Sequence, residues 1–164
     1  EDADWMLRPE LEPALAALIA HDLAFDALVL PRHLDNLLVL LKRHPAMRVV
    51  VDHCAKPEIA AGNFDGWAGR MAFIANETAA FCKLSGLVTE AGPDWSVETL
   101  KPYVEHVLEA FGPERVIWGS DWPVCTLAAS YDAWHEATGM LLRSCTGEER
   151  DRILGGNAAA FYRL

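Results

Sequence analysis

The sequence predicts an α/β protein built on a parallel four-stranded sheet. Short, mostly apolar runs of strand length alternate with longer segments whose apolar residues recur every three or four positions. Each strand-like run is followed by a helical segment, and such connections imply parallel strands with right-handed crossovers. The runs also end in polar or ionisable residues, as expected where reactive groups collect at the C-terminal strand ends of a parallel sheet.

The first helical segment, 9–21, opens with Pro9 and places Leu11, Leu15, Leu18 and Ile19 on one side. A strand follows at 25–30 (FDALVL). Residues 34–44 repeat Leu34, Leu37, Leu38 and Leu41, and the helix stops before Pro45. The second strand is 48–54 (RVVVDHC). Phe64, Trp67, Met71, Ile74, Thr78 and Phe81 then form an amphipathic stripe, with a third strand at 80–85 (AFCKLS). The next helix takes Ser96 as N-cap, runs through Leu100, Val104, Val107, Leu108 and Phe111, and ends at Gly112-Pro113. The fourth strand, 116–120 (VIWGS), gives way to a helix over about 130–144. Thr146 and Glu149 make a capping box for another, which Gly155-Gly156 should break, leaving Asn157 to cap a last turn through Tyr162. The order is α-(βα)₄, with no repeat, low-complexity tract or linker, so the 164 residues form one domain or part of a larger one.

Composition narrows the partners. The chain is 52% hydrophobic and 23% charged, which is globular material. Lys+Arg 14 against Asp+Glu 24 gives a net charge of −10, which disfavours a nucleic-acid backbone as partner, and no nucleic acid is expected. No apolar run reaches the roughly 18 residues of a membrane span, and no signal peptide is visible. Cys54, Cys82, Cys125 and Cys145 form no CxxC pair or zinc-finger spacing, and read as buried small hydrophobes in a reducing cytoplasm.

Four strand ends place chemistry at one rim: Arg32 and His33, then Asp52, His53 and Lys56, then Lys83 with Glu90 beyond it, then Asp121 and Trp122. Each has two readings. Asp121 is a working carboxylate or the cap of the turn before Pro123. His53 is a site residue or a satisfied core imidazole. Lys83, inside an apolar strand, needs a partner or must reach out at the rim. Arg32 and His33 are site residues or simply open the next helix.

The stretches DHCAKP (52–57), CKLSGLVTEA (82–91), RVIWGSDWPV (115–124) and ILGGNAAAFYRL (153–164), in that order, resemble the amidohydrolase-related lactonases, a family that includes sugar-acid lactonases and the pyrone-dicarboxylate lactonase. The resemblance implies half of a TIM-type (β/α)₈ barrel, its strands five to eight, from an enzyme that opens a sugar-acid or related carboxylated lactone in carbohydrate metabolism. It makes Asp121 the general base on water and gives His53 the lactone carbonyl or the water to position. Lys83, Arg32 and Trp122 become substrate contacts. No obligatory cofactor is implied; a divalent metal such as zinc is the alternative, with His53, Asp121 and His33 as ligands. The family's opening strand with His-x-His is absent, so 1–164 reads as a C-terminal half without its N-terminal partner. A metal-dependent amidohydrolase or decarboxylase of the same superfamily, and a non-catalytic half-barrel association module, are the competing readings. Four open strands also predict association, as a homo-oligomer or with the missing half, through strand edges or a bare apolar inner face.

Overall fold

The computed structural model describes residues 2–164. Four parallel strands, β1 (Ala24–Ala27), β2 (Arg48–Val51), β3 (Phe81–Leu84) and β4 (Val116–Trp118), lie in sequence order in one sheet. Helices α1 (Glu12–Ala20), α2 (Leu34–Arg43), α3 (Asp65–Glu77), α5 (Val97–Phe111) and α6 (Tyr131–Leu141) match the periodic segments of the sequence. Ser96 caps α5 as expected: its Oγ accepts the Thr99 amide at 3.2 Å, and the Thr99 hydroxyl accepts the Ser96 amide at 2.9 Å.

The strands are shorter than the apolar runs. β1 pairs with β2 only as far as Ala27 opposite Val51. Beyond Val51 the second strand coils into a turn, so residues 28–30 lose their ladder partner and leave the sheet. A short helix absent from the sequence reading, α4 (Leu87–Ala91), follows β3.

The chain also differs at its end. Gly155 and Gly156 do not break the helix: α7 (Gly147–Asp151) runs through a π-helical turn at Arg152–Gly156 into α8 (Asn157–Tyr162). Asn157 is no cap. Its side-chain amide is buried and donates to the carbonyls of Pro113 and Val116, each at 2.7 Å, and so ties this helix to the start of β4.

Alternation along the strands divides the sheet into two faces. Ala27, Val49, Val51, Cys82, Leu84 and Val116 point into the main core with the helices. Val50 and Ile117 point the other way, with Phe81, and meet Phe161 and Tyr162 of α8. The inner face is therefore not bare, contrary to the expectation from four open strands. Phe161 packs on Phe81 in a tilted arrangement with ring centroids 4.8 Å apart and covers the lower layer, so that Val50 and Ile117 are buried. Arg48, at the base of β2, donates to the Phe161 carbonyl and holds this floor in place.

Removing the Asn157 amide would leave two buried carbonyls without their donor. Asn157→Ala should lower the stability of the fold by about 1–3 kcal/mol. Urea unfolding measures this, and an unchanged midpoint would show that α8 is held by its apolar contacts alone.

Candidate active site

The upper layer of the inner face is built from strand ends. Asp26 in β1, Lys83 in β3 and the residues just past β2 and β4 share the face that the floor helix leaves open. Past β2 the backbone makes a single left-handed turn: His53, Cys54, Ala55 and Lys56 have φ of 49°, 51°, 58° and 52°. Such conformations cost roughly 1–2 kcal/mol per residue for side chains with a Cβ, so the surroundings must over-determine them. They do: the Trp67 indole donates to the Cys54 carbonyl at 2.7 Å, the Cys54 thiol to the Lys83 carbonyl at 3.4 Å, and Lys56 pairs with Glu90 of α4 at 2.9 Å.

The turn delivers His53 to the rim. Its Nδ1 lies 2.7 Å from Ser85 Oγ, and its Nε2 lies 3.4 Å from Asp52 Oδ2 and 3.6 Å from Asp121 Oδ1. Two carboxylate oxygens facing Nε2 favour a proton there, which leaves Nδ1 to accept the Ser85 hydroxyl. The ring rests against Gly86, whose φ is +70° and whose missing Cβ would stand 2.9 Å from His53 Cγ.

Asp121 comes from the corresponding position past β4. Its φ is 56°, and its side chain is 12% exposed and turned to His53. The amide that follows it, that of Trp122, donates to Ser120 Oγ at 3.2 Å. The Trp134 indole donates to the Gly119 carbonyl at 3.0 Å and fixes the approach to this turn. Trp122 itself stands 67% exposed.

Lys83 is paired with two carboxylates. Its Nζ lies 2.6 Å from Asp26 Oδ2 and 3.1 Å from Asp52 Oδ1. Burial works against its charge, but hydrogen bonds and Coulombic attraction from these two carboxylates outweigh that and raise its pKa above the ordinary lysine value. Arg32 is exposed and lines a groove with Glu58 and Arg70, and no contact joins it to His53 or Asp121. His33 is buried at the start of α2, where its Nδ1 accepts the Leu30 amide at 3.1 Å. It organises the helix entry and does not join the other two metal candidates.

Sequence reasoning missed Asp26, Ser85, Gly86 and Tyr162. The signal for the first two was the period-2 register: Ser85 falls on the same face as Lys83, and Asp26 on that face of β1. Gly86 and Tyr162 gave none, because their neighbours come from distant parts of the chain.

The fold and this rim define an α/β unit that brings an imidazole and a carboxylate together at the C-terminal end of a parallel sheet. A family profile described as amidohydrolase matches the chain over residues 1–164, and the chain belongs to the amidohydrolase family. It is 48% identical over 167 residues to the L-fucono-1,5-lactonase of Burkholderia ambifaria, covering 99% of this chain and 58% of that protein. It is 37% identical over 166 residues to the L-fucono-1,5-lactonase of Burkholderia multivorans, covering 92% and 54%. Two crystal structures of a Burkholderia multivorans amidohydrolase, one with bound HEPES and one with bound zinc, superpose with TM-scores of 0.92 and 0.91 at 35% and 36% identity. Each covers 99% of this chain and 60% of the crystallised one, so the agreement takes in the floor helix. The chain spans just over half the length of the curated relatives it matches.

The zinc in one of those relatives sets a test for the residues here. Among the described residues, no group of three His, Cys, Asp or Glu side chains is arranged to hold a metal ion. His33 is engaged elsewhere, and Asp52 already balances the Lys83 ammonium. These residues alone do not make a zinc site.

The support for His53 can be probed at its back. A methyl group at Gly86 meets both the ring and an unfavourable φ, so Gly86→Ala should cost about 1–3 kcal/mol of stability and displace the imidazole. Chemical denaturation and the His53 ring signals in an NMR spectrum report the two effects. Unaltered values for both would show that the ring is held without Gly86.

Proposed function

We propose that this chain carries the acid–base half of a lactonase, in which Asp121 is the general base on the attacking water. The observation that carries the reading is the approach of Asp121 to His53 Nε2, 3.6 Å apart at the C-terminal rim. Asp121 accepts a proton from water as the oxygen adds to the lactone carbonyl carbon. The Nε2–H of His53 donates to the carbonyl oxygen and stabilises the negative charge that develops there. The tetrahedral intermediate collapses with cleavage of the ring C–O bond, and the proton held on Asp121 passes to the departing oxygen. The product is the open hydroxy acid.

The charges favour a neutral, polyhydroxylated lactone over one bearing a free carboxylate. Asp26, Asp52 and Asp121 outnumber Lys83 on the inner face, and both Lys83 and Lys56 are engaged by carboxylates. Carboxylates accept hydrogen bonds from sugar hydroxyls, while the exposed Trp122 offers a ring face for stacking. L-Fucono-1,5-lactone, the compound in the names of two relatives, has this chemistry.

The four strands stand, in this reading, as strands five to eight of an eight-stranded barrel. The outer edges of β1 and β4 carry no strand partner among the described residues, and four further strands would close the sheet. Prepared alone at micromolar concentration, the chain is expected to associate through these edges. Light scattering that shows a monodisperse monomer would overturn that expectation.

The mechanism is tested in the intact protein by Asp121→Asn, with opening of L-fucono-1,5-lactone followed by acid release. The variant should lose at least about a hundredfold in kcat, the low end for removal of a general base, with its circular dichroism unchanged. Near-normal turnover would remove Asp121 from the chemistry.

A further inference from the structure

The lactonase reading gives Lys83 no part, yet the lysine sits in the middle of the inner face at the cost of partial burial. Its partners form a continuous series. On one side Asp26, which pairs with Lys83 Nζ at 2.6 Å, also takes the Tyr162 hydroxyl at 2.9 Å from each carboxylate oxygen. The Tyr162 ring lies 5.8 Å from Lys83 Nζ as well, within cation–π range. On the other side Asp52 gives Oδ1 to Lys83 at 3.1 Å and Oδ2 to His53 Nε2 at 3.4 Å. The floor helix is thus joined to the imidazole beside Asp121 by tyrosine, aspartate, lysine and aspartate in turn.

This order has a physical consequence. A carboxylate 3.4 Å from Nε2 favours the tautomer with its proton there, yet is too far to hold that proton against an arriving carbonyl. With one oxygen drawn to a fixed ammonium, Asp52 has only the other to offer, at a single place. Lys83 stays charged because its two carboxylates hold the proton on it, so the restraint persists across neutral pH. The far end needs its own anchor, because Asp26 is 40% exposed at its side chain and would otherwise be free to swing to water.

We propose that Asp52 and Lys83 are positioning residues that keep the proton of His53 on Nε2, and that Tyr162 of the C-terminal helix anchors them through Asp26. The kinetic consequence rests on the lactonase reading, while the geometric one does not.

The test uses the intact protein and two substitutions, Lys83→Met and Tyr162→Phe, the second removing one hydroxyl and keeping the ring. Lys83→Met should lower kcat at least about tenfold with KM held within about twofold, because substrate binding does not use the ammonium. Tyr162→Phe should lower kcat by about threefold to fivefold, and by almost nothing in the Lys83→Met background, where the link is already cut. A direct substrate contact at Lys83 would instead raise KM and spare kcat. A merely structural role for Tyr162 would lower Tm and multiply independently with Lys83→Met. Either result overturns the proposal. If Lys83→Met does not fold, Asp52→Ala removes the contacts to both Lys83 and His53 and should lower kcat at least about tenfold in the same way.

The ¹⁵N signals of the His53 ring give a readout without turnover. The wild-type protein should show the proton on Nε2, with both substitutions moving the ring signals in one direction and Tyr162→Phe the less. If the wild-type protein opens no lactone, the lactonase reading fails by itself. Ring signals unmoved by either substitution would then overturn the positioning role on its own terms.

Discussion

Four consecutive residues with Cβ atoms, His53 to Lys56, adopt left-handed backbone just after β2, and the place of His53 at the rim follows from that turn. Had β2 continued as a strand, Asp52 and His53 would have pointed to opposite faces of the sheet. The turn instead brings His53 round to the face of Asp52, beside Asp121. It is costly in isolation, on the order of several kcal/mol over four residues, and it persists because contacts from three directions hold it. The indole of Trp67 comes from α3, the Lys83 carbonyl from β3 and Glu90 from α4. Strain retained at the point where an imidazole meets two carboxylates is the pattern found at functional sites.

The inner face of the sheet divides into two layers with opposite chemistry. Below, Val50, Phe81 and Ile117 are closed off by Phe161, with Arg48 at the margin over the Phe161 ring. Above, Asp26, Asp52, Asp121, His53 and Lys83 satisfy one another. Tyr162 belongs to both layers, since its ring packs with the floor and its hydroxyl reaches Asp26. This partition lets a charged cluster exist so close to an apolar core: the floor excludes water from beneath, and the opposed charges offset the desolvation that Lys83 alone would suffer.

Tryptophans fix the loops of the rim through their polar atoms. The indole of Trp67 holds the turn after β2, that of Trp134 holds Gly119 before Asp121, and that of Trp95 donates to Ala128 at 3.0 Å in the loop that follows. Each ring is packed among helices and sends its N–H to a backbone carbonyl that no strand satisfies. A tryptophan that reads in sequence as core packing is here also a fastening point.

The fold was legible in the sequence to a large degree, since alternation of apolar runs with periodic segments depends on local spacing. Strand order, parallel pairing and most helices follow from it, as do the N-cap at Ser96 and the capping box at Thr146. So does the collection of His53, Asp121 and Lys83 at one end of the sheet, because strand direction alone dictates it. Tertiary structure decided the rest. The partners of Lys83 are Asp26, 57 residues away in sequence, and Asp52, which no local pattern indicates. Gly155 and Gly156 were expected to end a helix, but packing of Asn157 and Phe161 keeps the chain helical through a π turn. The left-handed turn at His53 could not be read at all, since none of its four residues favours that backbone. Local spacing is written in the order of the residues, whereas a strained turn or a paired charge exists only through partners that folding brings from elsewhere in the chain.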